Sequence, residues 1–151
     1  MDEFTVSLFG HRGIADFRLL ERKLASIVKQ LLRTKSYVTF LIGRNGEFDE
    51  YSASIIKKMQ KELGKEKSDI TLVLPYAVAD LEYYEKYYDS IIIPESVSRS
   101  YPKSAITLKN RWMVEHSDLV IVFVQHCKGG AYTAMKYAAK LQKNIVNLFE
   151  E

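Results

Sequence analysis

The chain has 151 residues, of which 47% are hydrophobic and 27% charged, with a formal net charge of +3. This composition points to one globular domain with room for a substantial core, and excludes a disordered segment. No apolar run nears the roughly 20 residues of a membrane span, and the single cysteine, Cys127, excludes an internal disulfide framework. The start MDEFTVSLFG is acidic and only briefly apolar, unlike a signal peptide, so a cytoplasmic protein with no membrane partner is expected. A net charge this small does not by itself indicate a nucleic-acid groove.

FTVSLF (4–9) is short, apolar and partly β-branched, and Gly10 closes it, which predicts a first strand. From 17 to 33, Leu20, Leu24, Ile27, Val28 and Leu31 recur on one helical face. YVTFLI (37–42) predicts the second strand. Phe48, Tyr51, Ile55, Met59 and Leu63 follow at helical spacing, with Gly64 as the stop. ITLVL (70–74) is a third strand, and IIIP (91–94) a short fourth candidate.

The stretch 75–102, with its prolines and the tyrosine-rich YYEKYY (83–88), is expected to be a mobile flap or an irregular connection. A helix over 104–116 follows, with Ala105, Leu108, Trp112 and Met113 expected to meet the sheet. Lys103, Thr107, Asn110 and Arg111 then fall on the far side, and Lys109 near the boundary. DLVIVFV (118–124) is the longest apolar run and predicts a central strand buried on both faces. A helix over 131–142 and a strand over 144–149 complete the chain.

Strands alternating with helices predict a three-layer α/β fold, a mainly parallel sheet between helices. Three turns then fall beyond the carboxyl ends of strands: Gly10-His11-Arg12, Gly43-Arg44-Asn45-Gly46 and Lys128-Gly129-Gly130. In open α/β sheets ligands bind at that edge, where the strand order switches. Glycines let a ligand approach the backbone, a following helix start offers free N–H groups, and Arg12, Arg44 and Lys128 add positive charge. Each turn alone has an ordinary reading as a chain reversal. Together they point to an anion or nucleotide site.

Neither GxxxxGK[ST] nor GxGxxG occurs, so ATP hydrolysis and NAD chemistry have no motif support. Asp49 is expected to cap a helix starting near Tyr51, with ribose binding or acid/base work as the sharper alternative. Glu47 is expected to be solvated and His116 to meet a helix C-terminus. His11 is expected to hydrogen-bond in the ligand loop, and the adjacent His126 and Cys127 to point apart. No metal site or catalytic set emerges. The tyrosine cluster reads as packing, or alternatively as a stacking platform for a base.

The segments LFGHR, FLIGRNGEFDEY, LVLPY, AITLKNRWMVEHSDLVIVFV and GGAYTAMKYA…NIVNL, taken together over nearly the whole chain, resemble the SLOG superfamily of Rossmann-like proteins. The likeness is greatest to its small bacterial YpsA-like group, and the superfamily also holds the LOG phosphoribohydrolases and the DNA-processing protein DprA. The resemblance implies a nucleotide or nucleotide-derived ligand at the strand-end turns.

Against the LOG pattern, Lys109 stands in the arginine place, Asn110 in the lysine place and Met113 in the methionine place, and Asp118 follows at the family spacing. Gly129 and Gly130 match the double glycine and Thr133 the threonine. Lys128 replaces the proline, Tyr132 the third glycine, and Lys136 the catalytic glutamate. Lys136 cannot act as a carboxylate, and Lys109 keeps charge without a bidentate fork.

The expectation is therefore a nucleotide-binding protein, in the manner of a ligand sensor. Its site would comprise Gly10, His11, Arg12, Gly43, Arg44, Asn45, Gly46, Asp49, Lys109, Asn110, Gly129, Gly130 and Thr133. The ligand would be a nucleotide or another phosphate-bearing small molecule, with no cofactor called for. A nucleoside-phosphate hydrolase with an altered catalytic set and a DprA-like single-strand DNA binder are the alternatives, nucleic acid being the less favoured partner. A homo-oligomer stays open.

Overall fold

The computed structural model describes residues 3–14, 16–44 and 46–149. Among them, strands β1 (Glu3–Gly10), β2 (Tyr37–Ile42), β3 (Ser68–Val73), β4 (Ser90–Ile92), β5 (Leu119–Phe123) and β6 (Asn144–Asn147) form one sheet. The helices are α1 (Phe17–Thr34), α2 (Glu47–Leu63), α3 (Leu81–Tyr87), α4 (Glu95–Ser98), α5 (Pro102–Glu115) and α6 (Gly130–Lys140). Strand order is β4-β3-β2-β1-β5-β6 and every pairing is parallel. The chain winds outward from β1 to β4 and then returns to β5 on the other side of β1. The switch in strand order therefore falls between β1 and β5, with Gly10 opposite Phe123 at the last paired rung.

Alternation along the strands feeds two cores. Val6 and Leu8, Val38, Phe40 and Ile42, Ile70 and Leu72, and Ile121 and Phe123 face the layer of α1 and α2. Phe9, Leu41, Val73, Val120 and Val122 face α5 and α6. Each large apolar side chain so buried contributes about 1.5–3 kcal/mol. As expected, β5 lies inside the sheet with both faces covered.

The segment 75–102, expected as a flap or irregular connection, carries α3, the edge strand β4 and α4. Its tyrosines pack: Tyr87 meets Tyr88 edge-on at 5.0 Å, Tyr84 lies 6.2 Å from Tyr88, and Lys57 sits 3.9 Å above Tyr87. Deep polar contacts pin α5 to the sheet. Ser7 and Ser117 share a hydrogen bond, and both hydroxyls reach the Met113 carbonyl, at 3.0 and 2.6 Å. Asp118 accepts the Thr5 N–H at 2.9 Å, and its own N–H donates to Thr5 O. It thus fastens β5 to β1 at the end of the sheet away from the glycine turns.

One local expectation is corrected. Helix α2 starts at Glu47 behind Gly46, so Asp49 lies inside the first turn and is buried rather than capping. One of the free N–H groups of that start, on Glu47, donates to the Arg12 carbonyl at 2.8 Å. Glu47 is exposed, as expected, and its Oε1 also accepts the Ile14 N–H at 3.0 Å.

Candidate functional site

The carboxyl ends of β1, β2 and β5 open into a cleft of about 240 Å³. Of the residues singled out in the sequence, Gly10, His11, Arg12, Gly43, Asp49, Lys109, Asn110, Gly129 and Gly130 line it. Arg44 lines an adjoining space of about 270 Å³ beyond β3, shared with Arg12 and Lys109 and bordered by Pro75 and Tyr76. Thr133 is elsewhere. It lines a groove between α5 and α6, and its hydroxyl donates to the Gly129 carbonyl at 3.1 Å. Lys136, standing where the LOG pattern has its glutamate, lines that groove too. Asn45 lies outside the described residues, and Gly46 borders neither space.

The glycines serve different ends. A Cβ at Gly10 would come within 2.2 Å of the Phe48 ring, and one at Gly46 within 2.7 Å of Arg12 Cα. Those two glycines let the first turns pack against α2. Gly129 has φ +92, the left-handed region that favours glycine. A Cβ at Gly130 would meet Asn110 Nδ2 at 3.6 Å, an ordinary contact, so packing does not require a glycine there. Helix α6 begins at Gly130 without a side-chain cap. Its first-turn N–H groups, free of intrahelical partners, carry the positive end of the helix dipole.

His11 bridges the switch point. Its Nε2 accepts the Gln125 and His126 N–H groups at 3.1 and 3.3 Å, and its ring stacks on His126 at 4.2 Å. A nitrogen that accepts is unprotonated, so the neutral ring carries its hydrogen on Nδ1. Nδ1 lies 3.9 Å from the place a Gly129 Cβ would take, which turns that donor toward the third glycine turn. Burial, and then the neighbouring His126, lower the His11 pKa.

The largest departure from expectation is on α5. Asn110, expected on a solvated face, is 8% exposed, and Lys109 is 2% exposed. Asn110 Oδ1 has no hydrogen-bond partner. Burial drives the Lys109 pKa down; Asp49 opposes that shift and Arg44 adds to it. Asp49 is itself only 6% exposed. A lysine and an amide held this deep are costly unless something meets them.

The sequence signal for this wall was a stripe of Ile106, Lys109, Asn110 and Met113 at the helical spacing of one face, running from the exposed cleft mouth at Ile106 inward to Met113. A search for apolar periodicity passes over it because half of the stripe is polar. Ile106 and Tyr76, which also line these spaces, carried no mark of their own.

The other cations stand at the rim. Arg12, Arg44 and Lys128 are exposed, and Lys128 lines neither space. Arg44 lies over the Tyr84 ring at 5.7 Å, which ties the tyrosine cluster to the rim. His116 is where expected, its Nδ1 at 2.8 Å from the Trp112 carbonyl near the end of α5. Cys127 is exposed. Among the described residues, no group of three or more histidines, cysteines and carboxylates is placed to hold a metal ion, and no helix is long and apolar enough to cross a membrane.

No family model and no curated protein sequence matches the chain. Solved structures do share its fold. DNA processing protein A from Helicobacter pylori, studied for its single-stranded DNA binding mode, superposes with a TM-score of 0.62 at 16% identity over 94% of this chain and 63% of that one. DNA processing protein A (DprA) from Streptococcus pneumoniae gives 0.66 at 12% identity, over 93% of this chain and 48% of that one. The Moco carrier protein of Chlamydomonas gives 0.56 at 15% identity, over 97% and 76%. The chain thus spans less than two thirds of either DNA processing protein. At these identities the likeness is one of architecture: a six-stranded parallel sheet between helical layers.

Proposed function

We propose that the chain binds a nucleotide or a nucleotide-derived phosphate compound in the cleft between the ends of β1, β2 and β5. In this reading the phosphate rests against the start of α6, beside Gly129, Gly130 and Ala131. Asn110 and the His11 Nδ1–H contribute hydrogen bonds, and Arg12 and Arg44 close the rim with charge. The remainder of the ligand extends toward Pro75 and Tyr76.

The observation that carries the proposal is the pair Lys109 and Asn110. Both are buried polar side chains lining the cleft, and Asn110 has an unmet Oδ1. A free helix start, two glycines lining the cleft beside it, and a position at the strand-order switch support the same reading. The named neighbours, one binding single-stranded DNA and one a Moco carrier, are in keeping with a binding role for this fold.

Base release of the LOG type is not part of the proposal. The residue at the glutamate place, Lys136, is a cation in a different groove.

Calorimetry with nucleoside mono-, di- and triphosphates and with inorganic phosphate tests the proposal. At least one nucleotide should bind more tightly than phosphate alone. Lys109→Met should weaken it by at least about tenfold, the loss of roughly 1.4 kcal/mol. Chromatography of the incubated nucleotide should show no free base. Failure of the whole panel, alongside steeply salt-dependent oligonucleotide binding, would replace this reading with nucleic-acid recognition.

A further inference from the structure

Lys109 sets a primary amine inside a cleft whose far wall is a helix start. Adjacent residues of α5 serve the two walls. Asn110 faces Gly130, with Nδ2 near the place of its missing side chain, whereas Lys109 has Asp49 and Arg44 as its electrostatic neighbours. A small molecule anchored by phosphate at α6 would therefore present its other end to the lysine.

Resting on the anion-binding reading above, we propose that the cleft captures a phosphate-bearing aldehyde as a Schiff base on Lys109 Nζ. The amine nitrogen adds to the aldehyde carbon and gives a carbinolamine. A proton passes from nitrogen to the departing hydroxyl by way of the Asp49 carboxylate. Water leaves, and a carbon–nitrogen double bond joins ligand to lysine. One amine and one aldehyde become one imine and one water, so no oxidant or reductant is needed.

Three observations support the step. The lysine is nearly sealed from solvent, which removes the hydration that keeps an ammonium charged. Its two charged neighbours oppose each other, so burial decides and the neutral, nucleophilic form gains. Asp49 is buried, lines the same cleft and acts electrostatically on Lys109, so a carboxylate is at hand to move the proton that dehydration requires. A lysine serving only as an ion-pair partner would instead stay charged and unreactive.

The test uses two aldehydes from different sources: pyridoxal 5′-phosphate, and ribose 5-phosphate through its open-chain form. Each is incubated with the whole chain, reduced with borohydride, and the adduct located by peptide mass spectrometry. The expected result is one adduct per chain at low aldehyde, on the peptide holding Lys109. Pyridoxal without the phosphate should react at least about tenfold more slowly, because the anchor supplies the proximity. AMP should protect, and Lys109→Arg should remove the adduct.

Trapping of only one aldehyde supports the proposal and names its source, a cofactor-type aldehyde or a sugar phosphate. Label spread over surface lysines, equally in wild type and Lys109→Arg, overturns it. The peptide map of the wild type decides even if that variant fails to fold. Asp49→Asn should slow trapping by about tenfold with an unchanged circular dichroism spectrum. Nucleotide binding without any Lys109 adduct defeats this inference alone. An adduct on Lys109 without nucleotide binding defeats the nucleotide assignment and leaves the aldehyde site standing.

Discussion

The turns after β1 and β2 and the turn after β5 all carry glycine at the same edge of the sheet, and they carry it for opposite reasons. At Gly10 and Gly46 the protein itself fills the space a side chain would need, with the Phe48 ring and the Arg12 backbone. At Gly130, which borders the cleft, a side chain would meet the Asn110 amide at no more than ordinary contact distance, and at Gly129 the backbone angle asks for glycine. The same residue type thus marks a packing contact on one side of the switch point and room for an approaching ligand on the other. A glycine-rich turn is evidence for a site only once what fills the missing Cβ is known.

The greatest separation of the two sides should come from Gly130→Asp. A carboxylate there would face the bound phosphate at close range. Two unit charges 4 Å apart at an effective dielectric of 20 repel by about 4 kcal/mol, so nucleotide affinity should fall at least about a hundredfold. The melting temperature should hardly move, because Gly130 is absent from the positive-φ glycines and its neighbour is at ordinary contact distance. Unchanged calorimetric affinity in the folded variant would remove the α6 start from the site.

Gly10→Ala should do the reverse. Its methyl would force Phe48 aside, an overpacking that costs about 1–3 kcal/mol, or roughly 3–10 °C of melting temperature. A variant that melts like the wild type would show that the contact at Gly10 relaxes freely.

A smaller effect is expected of His11. Its lowered pKa means that the folded protein holds this proton more weakly than the unfolded chain, where histidine titrates near 6.5. The stability it contributes is complete above pH 6.5 and is lost as pH falls from there through the lower folded value. Protonation would place a hydrogen on Nε2, where the Gln125 and His126 N–H groups donate. Melting curves between about pH 5 and 8 should show this slope, and His11→Gln should flatten it. An equal slope in the variant would assign the titration to another group.

The smallest effect belongs to Thr133→Val. Its hydroxyl is exposed, bonded to the Gly129 carbonyl and turned to the α5–α6 groove. Nucleotide affinity should stay within about twofold, with a stability loss of no more than about 1 kcal/mol. A tenfold loss of affinity would bring the hydroxyl back into the site.

The alternation of strands and helices was legible because the helices show an apolar period of about 3.6 residues, while the strands are short, β-branched apolar runs bounded by turn residues. The runs 37–42 and 118–124 are examples. The strand order was not legible, since parallel pairing is settled by long-range contacts that leave no local mark. The three strand-end turns were recognisable, but not the purpose of their glycines, which depends on Phe48 and Arg12 packing from elsewhere.

Asn110 was misplaced because polarity was read as exposure, whereas Lys109, expected at the boundary of the apolar arc, is buried in the cleft wall. Trp112, expected against the sheet, does pack on that core, though partly buried and also stacked on His116 at 4.1 Å. Thr133 followed the family resemblance. It lies one turn along α6 from Gly130, in the α5–α6 groove that adjoins the cleft.

Glu47 is held at both ends, its N–H on Arg12 O and its carboxylate on Ile14 N–H. The loop after β1 and the first turn of α2 are therefore joined to each other beside the cleft. A ligand arriving there meets a shape already set. Little conformational entropy is left for association to remove, and the wall's backbone should move by less than about 1 Å on binding.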